Sequence, residues 1–301
     1  MKDIKEALGI IDDDIWYYKF LPNQNIIEEI AKIQAFKKSF IYSDTFLELN
    51  GTKFQFQFIN YGETQLVYVV TIDNSKKYTI LVNQPATEYG VGKTEFINLN
   101  RLNQLDPDVV IKPISYFSNN DHELYITPYY YQARCIGVET TNWGIWIPEP
   151  DSHFKNFNND EKRIINSTMV AMLINLYDEE NNKGIAKTRL DGGDFMLLKG
   201  FEEDNITFEN ISNHIKLIAA RELTSISLDD YIDRIRLELS KNDLGENELI
   251  ITGKKLREPL TIEEVETGIE LGLALRNKKS QNNNVEKIIV KEKIIGDNNH
   301  E

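Results

Sequence analysis

Apolar and polar residues alternate most regularly between residues 46 and 82. Phe46-Leu47-Glu48-Leu49 is followed by Asn50-Gly51 and then by Phe54-Gln55-Phe56-Gln57-Phe58. Asn-Gly between two extended runs marks a type I′ hairpin, because both central residues of that turn need positive φ. Side chains alternate faces along a strand, so the Phe/Gln pattern puts three rings on one side. Leu66-Val67-Tyr68-Val69-Val70 and Tyr78-Thr79-Ile80-Leu81-Val82 follow, with Asp73-Asn74 between them. The pattern predicts an antiparallel meander of three or more strands.

The period then changes. Phe96, Leu99, Leu102 and Leu105 recur at helical spacing, which predicts a helix over 92–105. Residues 109–117 and 123–130 read as two further strands. Ahead of the meander, residues 1–45 read as mainly helical, with Ile26, Ile27, Ile30, Ile33 and Phe36 forming one stripe after Pro22-Asn23. In 131–160, Trp143 and Trp146 bracket Gly144 in what reads as a packed turn. Met169, Met172, Leu173 and Leu176 predict a helix, Ser227-Leu228-Asp229-Asp230 starts another, and Thr261-Ile262-Glu263-Glu264 is a capping box before Val265 and Ile269. Leu249-Ile250-Ile251 reads as a short extended piece and Ser280–Asn284 as a polar break. Lys287–Ile295 mixes charge with isoleucine and suits a strand added to a sheet or to a partner. Four regions result: a helical extension (1–45), a β-rich lobe (46–130), a helical lobe (131–279) and a tail (280–301). The expected fold class is α+β, with two lobes joined near residue 130 and a cleft between them.

Composition narrows the partners. The chain of 301 residues carries a formal charge of −14 and a pI near 4.9. Such a surface repels nucleic-acid phosphate and anionic membrane, so neither is expected as a partner. A single cysteine, Cys135, rules out an internal disulfide and a cysteine-based zinc site. The four histidines are scattered. No run approaches the length of a membrane span, and Met1-Lys2-Asp3 opens no signal peptide, so a cytoplasmic protein is expected.

The stretch with most chemistry is Leu190-Asp191-Gly192-Gly193-Asp194, directly before the apolar run Phe195-Met196-Leu197-Leu198. Glycines let backbone approach a ligand, and flanking carboxylates can hold a hard cation. The same residues also suit a tight β-turn with Asp at a turn position, which is the commoner use of such a sequence.

The order of elements around this stretch resembles the protein-kinase-like fold, in the small-molecule branch of aminoglycoside and choline phosphotransferases. There a helix leads into His-x-Asp, four residues, Asn, and an apolar strand. Laid on this chain without gaps, the His falls on Lys187, the catalytic Asp on Arg189 and the metal-binding Asn on Asp194. The resemblance implies ATP and Mg²⁺ as cofactors and a nucleotide or small molecule in the interlobe cleft. Asp194 would hold metal, and Asp191, two residues late, would be the nearest base. Gly62, in the turn 60–65, would lie over the phosphates. Asn83 takes the position of the strand lysine, since Lys77 is at the wrong end and Lys93 lies past the strand. Glu95 matches the helix glutamate, and backbone from Thr127 through Tyr129 to Tyr131 matches the hinge. The strand that ends in the metal-holding Asp is matched to Asn205–Asn210, with Thr207 at the Asp position and Glu209 nearby as a substitute ligand. Loss of the lysine and the metal Asp removes the charge neutralisation on which phosphoryl transfer depends. The expectation is therefore an atypical, pseudokinase-like nucleotide-binding or regulatory module with a protein partner. The alternatives are an active phosphotransferase using Asp191 and Asp194, and an unrelated α+β partner-binding protein.

Overall fold

A computed structural model describes residues 16–18, 45–49, 52–61, 65–74, 76–83, 88–118, 123–131, 133–139, 142–147, 153–186, 194–239 and 260–297. The first part is a seven-stranded antiparallel sheet. In chain order its strands are β1 (Trp16–Tyr18), β2 (Thr45–Leu49), β3 (Thr52–Tyr61), β4 (Gln65–Ile72), β5 (Lys76–Asn83), β6 (Ser115–Ser118) and β7 (Glu123–Pro128). Their spatial order is β1-β6-β7-β5-β4-β3-β2, so the two earliest strands form the two edges. Leu49 pairs with Thr52, which leaves only Asn50-Gly51 between β2 and β3, as the alternating pattern required. Asp73 and Asn74, both at positive φ, turn β4 into β5; Asp and Asn tolerate that conformation best among non-glycine residues. Trp16–Tyr18 is strand within the stretch expected to be mainly helical. Three consecutive aromatic residues favour a pleated surface, and β6 supplies the partner.

Helix α1 (Val91–Leu105) is inserted after β5 and buries Glu95, Phe96, Leu99 and Leu102 against one face of the sheet. Phe96 meets Tyr116 of β6 and Tyr125 of β7 at ring distances of 5.7 and 6.4 Å. The second part holds more strand than the sequence implied. β8 (Arg134–Glu139), β9 (Asn142–Ile147), β10 (His153–Asn156), β12 (Phe195–Leu197) and β13 (Ile215–Leu217) form a sheet in the order β10-β9-β8-β12-β13. Trp143-Gly144-Ile145-Trp146 thus lies inside β9 and is no turn. Gly144 is there because β10 comes close: a Cβ on it would sit 2.1 Å from the Lys155 carbonyl oxygen and 2.7 Å from the Phe154 ring. A two-stranded sheet joins β11 (Lys183–Ile185) to β14 (Leu223–Ser225).

The remaining helices are α2 (Asn159–Asn175), α3 (Phe208–His214), α4 (Leu228–Leu239) and α5 (Ile262–Asp297). Asn158 and Glu161 form a capping box on α2, with bonds of 2.9 and 2.8 Å. Thr261 and Glu264 do the same on α5. Helix α5 lies on α2, where Gly268 and Gly272 admit Val170 and Ile174; a Cβ at either glycine would come within 2.7 Å of α2. Its backbone continues through Ser280–Asn284 to Asp297, so the expected polar break and tail strand are one helix. No Gly or Pro interrupts residues 273–295, and extending a formed helix is easy once its nucleus exists. Leu249–Ile251 lies outside the described residues. The whole is an α+β arrangement: an antiparallel sheet with one inserted helix, then a part that carries most of the helix.

Candidate functional site

The residues singled out by the sequence do not meet in one place. Asp191 and Gly62, with Lys187 and Arg189, lie outside the described residues. Asp194 directly precedes β12, is half-buried, and its carbonyl accepts the Ile218 N–H at 2.8 Å. Glu209 is exposed in the first turn of α3. That helix is capped by Thr207, whose hydroxyl accepts the Asn210 N–H at 3.1 Å. Asn205–Asn210 is therefore a cap and a helix start. The strand paired with β12 is β13, through Phe195↔Leu217, Met196↔Lys216 and Leu197↔Ile215. It runs out into Ile218-Ala219-Ala220-Arg221, with no carboxylate before Glu222. Helix-capping residues had been taken for the strand because Thr and Phe suit both settings.

Asn83 does not face Glu95. Its amide donates to Glu123 Oε2 at 2.9 Å. The same carboxylate accepts the N–H of Gly90, the residue before α1, at 2.7 Å, and the Tyr116 hydroxyl at short range. Glu123 is only 1% exposed, and a negative group at a helix N-terminus is favoured by the peptide dipoles there. Gly92 makes room for this arrangement, since a Cβ there would lie 2.9 Å from Asn83 Oδ1. Burial and the hydrogen bond to Glu123 both push the Tyr116 hydroxyl up, so it stays protonated as a donor.

Glu95 is buried to the same degree and is held by other groups. Gln65, at the start of β4, donates to Glu95 Oε2 at 2.6 Å. The Tyr125 hydroxyl, the Ala220 N–H and the Arg221 guanidinium all lie near enough to favour its charge. Burial outweighs them and pushes the carboxyl above its usual range. Asn98, one turn on, donates to the Ala220 carbonyl at 3.0 Å. A helix, the sheet and the segment after β13 are thus fastened together by one buried polar cluster. Glu95 Oε1 and Arg221 Nε have no hydrogen-bond partner within it.

The C-terminal end of α1 is fastened as well. Arg101 reaches the buried Asp178 through two nitrogens, at 2.7 and 2.6 Å. Asn175 of α2 donates to Asp106 at 2.9 Å, and Lys279 of α5 contacts the same oxygen. Tyr129, beyond β7, is half-buried beneath the Lys77 ammonium, 5.3 Å from its ring centre. Among the described residues, no three His, Cys, Asp or Glu side chains come together as a metal site. A hollow of about 390 Å³ lies elsewhere, between α2, α3 and α5, and is lined by residues including Arg163, Ser167, Phe208 and Glu263.

Gln65, Glu123 and Arg221 are the participants that sequence reasoning missed. Gln65 had one signal, a polar residue opening an otherwise apolar strand. Glu123 had one too, at the start of another. Arg221 had none, because its role depends on β13 being the partner of β12.

No family model matches the sequence, and no curated protein matches it. Among solved structures, the chain is similar to the BubR1 kinase domain, with a TM-score of 0.39 and 13% identity. The match covers 76% of this chain and 63% of that one, so this chain spans less than two thirds of that domain's length.

Proposed function

We propose that this chain is a non-catalytic, pseudokinase-like module that works through contact with a protein partner. The reading is carried by the surroundings of Glu95. Phosphoryl transfer in this fold pairs the helix carboxylate with a strand lysine, so that the lysine is aimed at phosphate, and places an acidic side chain to hold Mg²⁺. Here the helix carboxylate accepts at one oxygen from the amide of Gln65 and faces Arg221. The strand position expected to aim a cation holds Asn83, which is committed to Glu123. The segment after β13 offers Ile218, Ala219 and Ala220 where a metal ligand is required. These residues do not fit Mg²⁺-ATP, and catalysis of phosphoryl transfer is nearly all positioning and charge neutralisation. The cluster instead fixes α1 against both lobes, which suits a rigid surface presented to another protein.

Thermal unfolding with ATP, with and without MgCl₂, tests this in the wild type and in Asp194→Ala. The expected result is no metal-dependent rise in Tm in either protein, together with no phosphate release above the buffer blank. A Mg²⁺-dependent rise that disappears in Asp194→Ala would overturn the proposal in favour of an active phosphotransferase.

A further inference from the structure

Helices α2 and α5 lie side by side and run the same way. The Ser167 hydroxyl meets the Glu264 carbonyl, Val170 meets Gly268, and Ile174 meets Gly272. Their early turns and the start of α3 enclose the hollow of about 390 Å³. That is near the lower end of the ~300–1,000 Å³ of ordinary ligand sites. Its floor is apolar. Ile164, Phe208 and Leu271 are each half-buried, and Phe208 and Leu271 belong to neither core cluster. Three helices thus leave apolar side chains partly in water at one concave place.

The polar groups beside that floor are spent inside the protein. Ser167 donates to the Glu264 carbonyl at 3.0 Å. One Glu264 carboxylate oxygen accepts from Asn166 at 3.0 Å, and the other accepts the Thr261 N–H at 2.7 Å. The capping boxes of α2 and α5 already supply the negative group that helix N-termini attract. A ligand here is therefore held by burial of apolar surface. The rim adds charge. Asp160 is exposed in the first turn of α2, and Glu263 is 73% exposed and contacts Arg163 at 2.5 Å. Arg163 is the one cation among the described lining residues, beside three carboxylates, so the mouth is net negative and favours a cationic occupant. The walls are helices whose backbone groups bond within each helix, so an extended peptide finds no edge to pair with. A helix brings its own backbone satisfied and needs side-chain contact alone.

We propose that the hollow between α2, α3 and α5 docks a basic amphipathic helix of a partner protein. Apolar side chains one turn apart would cover Ile164, Phe208 and Leu271, and a lysine or arginine would lie beside Asp160 and Glu263. This names the surface for the partner contact proposed above and rests on that reading.

The test titrates the full chain against a fluorescein-labelled peptide of leucine and lysine in amphipathic helical register, read by fluorescence anisotropy. A twin peptide carries glutamate in place of every lysine. The lysine peptide should bind saturably and the glutamate peptide should not. Thr267→Trp, at an exposed lining position, fills the hollow and should weaken binding at least about tenfold. Thr267→Arg serves the same purpose should the tryptophan variant fail to fold. Asp160→Lys should weaken binding about fivefold. Asp229→Lys makes the same charge change in the exposed first turn of α4 and should leave binding unchanged. No binding of the lysine peptide, equal losses in Asp160→Lys and Asp229→Lys, or binding untouched by the Thr267 variants overturns the proposal. So does a wild-type dimer in sedimentation that Thr267→Trp dissociates, since a second copy would then be the occupant. The two readings fail separately: stabilisation by Mg²⁺-ATP counts against the non-catalytic module, whereas loss of the peptide pattern counts against this surface alone.

Discussion

Replacing Arg221 with methionine removes the guanidinium that faces the buried carboxylate of Glu95 while keeping most of the side-chain volume. Deleting one partner of a buried charge pair costs about 3–5 kcal/mol, because the other charge is left without compensation. Arg221 is only partly buried, it acts on Glu95 through its charge without an ion-pair contact, and Gln65 still donates to Glu95 at 2.6 Å, so the cost falls below that range, about 1 kcal/mol at pH 7. The cost depends on pH with a definite sign. Burial already raises the Glu95 carboxyl above 4.5 in the folded protein. A group raised on folding contributes stability that is fully present below its unfolded value and is lost as pH rises through its folded value. Arg221→Met raises the folded value further, so its deficit against wild type is largest near pH 7 and shrinks toward pH 5. Glu95→Leu/Arg221→Met removes both charges and should recover at least half of the loss. Urea unfolding followed by tryptophan fluorescence at pH 5 and pH 7 measures all four species of the cycle. A deficit below about 0.5 kcal/mol at pH 7, or one equal at the two pH values, would refute the role given to this pair.

Two further perturbations probe how the lobes are joined. Arg101→Ala strips Asp178 of its partner and should cost about 2 kcal/mol at pH 7, discounted from the fully buried case because Arg101 is 28% exposed. Burial pushes the Asp178 carboxyl up, but the hydrogen bonds from Arg101 and Asn181 outweigh it and hold the group below its usual range. Its contribution is therefore present above about 3.8 and lost as pH falls, and acid unfolding of Arg101→Ala should begin at higher pH than that of wild type. Gly184→Ala would set a Cβ 2.5–2.7 Å from the ring of the fully buried Tyr231. It should cost about 2 kcal/mol in urea unfolding, and an unchanged midpoint would show that β11 can shift without loss.

The local elements were legible because their signals are local. The Asn-Gly hairpin, the helix of residues 91–105 and the box Thr261–Glu264 each depend on residues a few positions apart, where period and capping chemistry decide the outcome. Glu95 stood out on the face of a helix. Its partners did not, since Gln65 is 30 residues away and the Asn98–Ala220 bond spans 122. Misreading Thr207-Phe208 as a strand had the same origin: a cap and a strand start share residue types, and only the pairing of β12 with β13 separates them.

The sequence by itself determined an antiparallel sheet with one inserted helix, followed by a lobe rich in helix, because hydrophobic period and turn chemistry act within single elements. Only the tertiary structure decided which polar group each buried carboxylate meets. It assigned Asn83 to Glu123, Gln65 to Glu95, and Arg101 to Asp178. The reason is physical: a buried charge must find its partner among whatever groups the fold brings within about 3 Å, and that neighbourhood is a property of packing between distant segments.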